Sequence, residues 1–231
     1  MVPIFLMNAS GCFINENDPS SQTTVDRGRC NLRCIQTICF TITLSHSEMQ
    51  DRCLYDGAFT LVLPSHVIDA SDLRQIPDNQ EVFLHPSTNQ SVVVDILEQI
   101  DTQDPKEAAR LHFQEVGHTN DASQIVIETV EELSPPYRDP HCTSMVYLTG
   151  LQKVAKFNET AEHLVRIYQA LYRYSNDSAD VLVSVNSPLE DDYPRCALNG
   201  TASVPSAPWD DQLIRTIACS LQLRSRGIFS L

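Results

Sequence analysis

The run TSMVYLTGLQKV, Thr143–Val154, is continuously strand-like and sets the fold class. Three further stretches around it read the same way. Gln124–Val130 (QIVIETV) is β-branched and alternating, and Asp180–Val185 (DVLVSV) is nearly all Val and Leu. Leu164–Arg173 (LVRIYQALYR) sets Leu164, Arg166 and Tyr168 against Val165, Ile167 and Leu171, although 159–173 also has a helical reading. Upstream, Asp56-Gly57 is a turn signal, followed by an apolar strand over Ala58–Leu63 that Pro64 stops. Residues 64–80 read as an irregular polar loop, and Glu81–His85 as a short strand ended by Pro86.

Helices are expected on either side of this strand-rich centre. Asn89 or Ser91 caps one in which Val93, Ile96, Leu97 and Ile100 recur at helical spacing, with Asp95, Glu98 and Asp101 on the opposite face. Asp104-Pro105-Lys106-Glu107 is a strong start for a second. Asp104 serves as N-cap, Pro105 fits the first turn, Glu107 is placed to close a capping box, and Ala108, Leu111, His112 and Phe113 supply the buried stripe. Four prolines make 186–208 a long loop, and Trp209–Arg224 reads as a last helix lined by Leu213, Ile214, Ile217 and Leu221. The sum is an α+β fold, an antiparallel β-sheet flanked by helices. Residues 1–52 lack any sustained period and read as a poorly ordered N-terminal extension to a domain over 53–231.

Charge and chemistry narrow the function. The net charge is −14; residues 1–53 carry five acids and four arginines, so the other 178 residues hold −13. Such a body repels nucleic acid and anionic lipid and suits a partner with a basic face. No apolar run approaches the ~18–20 residues that span a bilayer, and Met1–Met7 lacks the basic flank of a signal peptide. Cys142, Cys196 and Cys219 match no disulfide framework or zinc pattern, and Cys30, Cys34, Cys39 and His46 have the wrong spacing for a zinc ribbon. Reduced thiols of a cytosolic or nuclear protein are the simpler expectation. Glycine-rich phosphate loops, G-x-S-x-G and H-E-x-x-H are all missing, so no enzyme, cofactor or metal is expected. His112 is read as a packed core residue.

Ile68–Glu81 (IDASDLRQIPDNQE) stands out. It gathers Asp69, Asp72, Asp78 and Glu81 around Arg74, with Pro77 stiffening the chain before the next strand. A pre-stiffened acidic loop loses little entropy on docking; the plainer alternative is a solvated loop whose acids cap turns and pair with Arg74. A small-ligand carrier, with a pocket lined from Val146, Val165 and Val183, is a rival class.

Three stretches in order, LYDGAF (Leu54–Phe59), IDASDLR (Ile68–Arg74) and IPDNQEV (Ile76–Val82), resemble the Ran guanine nucleotide release factor family, the Mog family. The likeness continues through Val92–Glu98, Lys106–Val116, Val146–Ala155, Asp180–Pro188, Ala207-Pro208-Trp209 and Gly227-Ile228-Phe229, and spans about residues 54–231. Asp56-Gly57 stands where Gly-Gly is usual. The resemblance implies an α/β/α sandwich similar to the PsbP-like extrinsic subunit of photosystem II. It also implies a monomer of nucleus and cytoplasm that binds the small GTPase Ran, releases its GTP and supports nuclear import. An alternative it implies is a trafficking adaptor, peripheral at the plasma membrane, that brings a voltage-gated sodium channel to the surface through a cytoplasmic loop. The family's acid pair for Ran falls on Asp78 and Glu81. Asp69, Asp72, Gln80 and the pair Asp95/Glu98 are expected to frame the same surface.

Overall fold

The computed structural model describes residues 49–136, 139–155, 162–189 and 207–229. Strands dominate: β1 (Met49–Leu54), β2 (Phe59–Pro64), β3 (Ile68–Asp69), β4 (Gln80–Leu84), β5 (Ser91–Glu98), β6 (Gln124–Leu133), β7 (Ser144–Ala155), β8 (Glu162–Tyr174), β9 (Ala179–Pro188) and β10 (Gln222–Leu223). Two α-helices, α1 (Pro105–Thr119) and α2 (Asp211–Ala218), and four short 3-10 turns, at Tyr55–Gly57, Ala70–Asp72, Ser175–Asp177 and Arg226–Phe229, complete the described elements. One sheet has seven strands in the order β3-β4-β5-β9-β8-β7-β6, and a smaller one has the order β1-β2-β10; the pairings in both are antiparallel.

Period-two alternation divides the large sheet's side chains between two layers. Val181, Val183 and Val185 join Phe59, Leu61, Ile214 and Ile217 in a core shared with the small sheet and α2. Leu182, on the other face, packs with Ala109 and Phe113 of α1 and with Leu148, Ile167 and Leu171. Val82, Leu84 and Val93 lie on that same α1 face but beyond the helix, where Ile68, Ala70 and Ile76 of the β3–β4 segment cover them. The architecture is therefore the expected α+β sandwich. Val146 and Val165 lie on the α1 face and Val183 on the other, each buried in packing, so the three do not line one pocket.

Several local expectations change. The helix foreseen from Asn89 or Ser91 is strand β5. It lies between β4 and β9 with both faces covered, so its apolar residues run together as Val92-Val93-Val94 and do not alternate. A strand buried on both sides mimics helical spacing, and β-branching decides in favour of the sheet. In α1, the Asp104 carboxylate accepts the Lys106 amide at 2.9 Å as the N-cap, but the capping box does not close: Glu107 pairs with Arg110 at 3.5 Å. Leu111 is 37% exposed while Ala108, His112 and Phe113 are buried. The strand reading holds over Glu162–Tyr174. The last helix is shorter than foreseen, because after Ala218 the chain turns to pair β10 with β2. β1 begins at Met49, within the stretch assigned to the extension, and pairs Met49 with Pro64 through Leu54 with Phe59. Residues 1–48, with Cys30, Cys34, Cys39 and His46, lie outside the described residues, as does 190–206 of the proline-rich loop.

Candidate functional site

The acidic segment is anchored from below. β3 pairs Ile68 with Leu84 and Asp69 with Phe83. A 3-10 turn over Ala70–Asp72 follows, capped by Asp69, whose Oδ1 accepts the Ser71 amide at 3.0 Å and hydroxyl at 2.6 Å. The amides of Leu73 and Arg74 both donate to the Ala70 carbonyl, at 3.0 and 3.1 Å. Ala70 is buried and Ile76 packs on the Val82 cluster, so apolar contacts hold the segment at both ends. Asp72, Leu73, Arg74, Gln75, Asp78 and Asn79 are left exposed. Leu73 is 53% exposed, an apolar side chain among charges. Among the described residues Arg74 forms no ion pair, so turn-capping accounts for Asp69 while pairing with Arg74 accounts for none of the acids.

Asp78 and Glu81 differ in setting. Asp78 is exposed, whereas Glu81 is half-buried on β4 and its Oε1 accepts the Tyr55 amide at 2.8 Å. Burial raises the Glu81 carboxyl above its ordinary range; the Tyr55 amide and Arg52 oppose this, and the carboxylates of Asp69 and Asp56 reinforce it. Tyr55, Asp56 and Gly57 have φ of 49°, 53° and 86°, three left-handed residues in succession. The Tyr55 hydroxyl lies 2.8 Å from the Val94 carbonyl and 3.1 Å from that of Asn79. Sequence reasoning marked Asp56-Gly57 as a turn but missed the Tyr55–Glu81 bond. The two residues are 26 apart, and no local signal reports such a contact.

Gln80 and Asp95 are not on this surface. Both are buried on the α1 face, with Gln80 Nε2 donating to Asp95 Oδ1 at 2.7 Å, and Asp95 is only 2% exposed. The expectation of an Asp95/Glu98 acidic face rested on helical spacing; on a strand residues three apart face opposite ways, and only Glu98 is exposed. Burial raises Asp95 to about 6, against the Gln80 hydrogen bond and the nearby His112. Beside it, Asp180 accepts His112 Nε2 at 2.9 Å, Arg173 Nε at 3.0 Å and the Ile100 amide at 3.2 Å. Arg173 also donates to the carbonyls of Ile100 and Thr102, at 2.6 and 2.7 Å. This network locks the β5–α1 connection. His112 is thus a core residue with a carboxylate partner.

Among the described residues no group of three His, Cys, Asp or Glu is placed to hold a metal ion. No described helix is long and apolar enough to cross a membrane.

Residues 52–188 match the family described as "Ran-interacting Mog1 protein". Over 182 residues the chain is 37% identical to the "Ran guanine nucleotide release factor" of Homo sapiens, covering 78% of this chain and 96% of that protein. The protein of the same name from Danio rerio is 35% identical over 184 residues, 77% of this chain and 98% of the relative. "Nuclear import protein mog1" of Schizosaccharomyces pombe is 32% identical, with 76% and 94% covered. The crystal structure of the Saccharomyces cerevisiae Ran-binding protein Mog1p has a similar fold. Its TM-score is 0.56 at 26% identity, over 76% of this chain and 95% of that one.

Proposed function

From the chain's membership of the Ran-interacting Mog1 family, we propose that it binds the small GTPase Ran and promotes release of its guanine nucleotide, in support of nuclear protein import. The family is one of binding and release factors, not of catalysts, and its import role suits residence in nucleus and cytoplasm.

The observation that carries the reading is the acidic segment Ile68–Glu81, exposed at Asp72, Arg74 and Asp78 and half-buried at Asp69 and Glu81, yet pinned to the sheet by Ile68, Ala70 and Ile76. A GTPase holds its nucleotide with lysine, magnesium and backbone amides around the phosphates. A carboxylate delivered to that cradle competes for its positive charge and favours the nucleotide-free state. Asp78 and Glu81 are the carboxylates proposed for this, with Asp69 and Asp72 at their rim. Glu98 lies two residues beyond Ile96, which bonds Asn79, and so adds charge at the Asp78 end. Gln80 and Asp95 support the segment from inside.

Release of labelled GTP from Ran tests this, with the unmodified chain, Asp78→Lys and Glu81→Gln. Losing one partner of a desolvated interfacial ion pair costs ~2–5 kcal/mol, a fall in affinity of at least about 30-fold. Asp78 is exposed, so its substitution should leave the thermal midpoint nearly unchanged. Affinity within about twofold for both variants would overturn the acidic-segment reading, since so small a loss falls inside the ~0–1 kcal/mol that an exposed rim pair contributes. Capture of a sodium-channel cytoplasmic loop by an Asp78→Lys protein that has lost Ran would favour the trafficking adaptor instead.

A further inference from the structure

We propose that Tyr55 is the positioning residue of the Asp78–Glu81 pair, gripping that segment at two points, with its amide on the Glu81 carboxylate and its phenol on the Asn79 carbonyl. The inference rests on the Ran reading above and adds a residue to it.

The geometry is specific. The amide of Tyr55 lies one residue past the β1 ladder, whose last pair is Leu54 with Phe59, so the sheet offers it no acceptor. Glu81 Oε1 takes it at 2.8 Å. That bond fixes the carboxylate's rotation and leaves Oε2 as the oxygen for a cationic partner. The phenol, meanwhile, shares its proton between the carbonyls of Val94 and Asn79. Asn79 follows Asp78 directly. Its carbonyl also accepts the Ile96 amide at 3.0 Å, and its side-chain Nδ2 donates to the Ile96 carbonyl at 3.3 Å. The backbone just before Gln80 and the side chain just after it are therefore held by one residue of the turn between β1 and β2.

Tyr55 is itself held hard. Its ring meets Phe59 edge-on at 6.1 Å, and Phe59 continues the aromatic cluster through Tyr174 and Phe229. Burial first, then the Asp95 and Glu81 carboxylates, raise its phenol far above the ordinary range, so the hydroxyl stays a donor. Its left-handed φ of 49° is uncommon for a residue with a side chain and persists only where the surroundings over-determine it. The two bonds to the acidic segment are part of what does so.

A double-mutant cycle on Ran affinity separates positioning from mere support. Tyr55→Phe keeps the ring and removes the phenol. Losing a buried hydrogen bond of this kind is expected to weaken Ran association by about three- to tenfold. The loss should shrink to within about twofold when Asp78→Asn and Glu81→Gln are already present, because Tyr55 acts through those two side chains. Hydrogen exchange at the residue 55 amide reads the grip without Ran and should quicken in Tyr55→Phe, as the cover by Glu81 loosens. Unchanged affinity, or an equal loss in the doubly substituted background, overturns the inference alone. No binding of Ran by the unmodified chain would remove the Ran reading and this inference together.

Discussion

Asp95 stands where the sequence pattern and the packed molecule part company. On a helix it would share an exposed face with Glu98; on β5 it points beneath α1 and meets Gln80. Its carboxyl, raised by burial from 3.8 to about 6, holds a proton more tightly folded than unfolded. Stability from this group is therefore fully present below about pH 4 and is lost as pH rises through about 6. The difference of roughly two units corresponds to ~3 kcal/mol, to order of magnitude. Asp95→Asn, which imitates the protonated form and keeps the oxygen that Gln80 needs, should raise stability by ~1–3 kcal/mol at neutral pH. It should also flatten the rise in stability that Asp95 is expected to give the unmodified protein on going from pH 7 to 4.5. Urea midpoints at the two values check this, and an Asn variant weaker at pH 7 would contradict it. Nothing local to Asp95 announces its burial; the cause is β4 and β9 on either side and α1 above.

At the scale of elements, local rules found α1, β7, β8 and β9, where a cap or an unbroken strand pattern is present. They failed at β5, where apolar side chains on both faces erase the alternation that marks a strand. The fit of α1 on its sheet depends on Gly150 in β7. A Cβ there would meet the Phe113 ring at 2.5 Å and the Val126 carbonyl of β6 at 2.6 Å. The ring is itself fully buried in the core beneath α1, and the carbonyl belongs to a neighbouring strand paired to β7, so neither has much freedom to move. Gly150→Ala should therefore destabilise the protein by ~1–3 kcal/mol through overpacking. Its effect on Ran affinity should be small, because Gly150 sits toward the β6 edge and the acidic segment at the β3–β4 edge. Denaturation midpoints and binding measured on the same variant test both halves; an unchanged midpoint would show that α1 shifts freely.

Over the whole molecule, a charge of −14 acts beyond any single contact. Opposed charges steer diffusional encounter, and the Debye length shrinks from ~30 Å at 0.01 M to ~3 Å at 1 M salt. Association with Ran should slow at least about tenfold from low to high salt while dissociation changes little. Stopped-flow rates across that range are the check, and a flat profile would rule out steering. The amino-acid sequence by itself determined the charge, the strand-rich α+β class, the N-cap at Asp104 and the acidic segment with its family motifs. All of these are written in composition or in neighbours a few residues apart. Tertiary structure alone decided that Asp95 and Gln80 are buried, that Arg173 and His112 meet at Asp180, and that Tyr55 reaches Glu81 and Asn79. Those contacts join positions from 15 to 68 residues apart, apart from Arg173 and Asp180 across one hairpin. Only the closing of the sheet, with strand order unlike chain order, brings such positions within hydrogen-bonding distance.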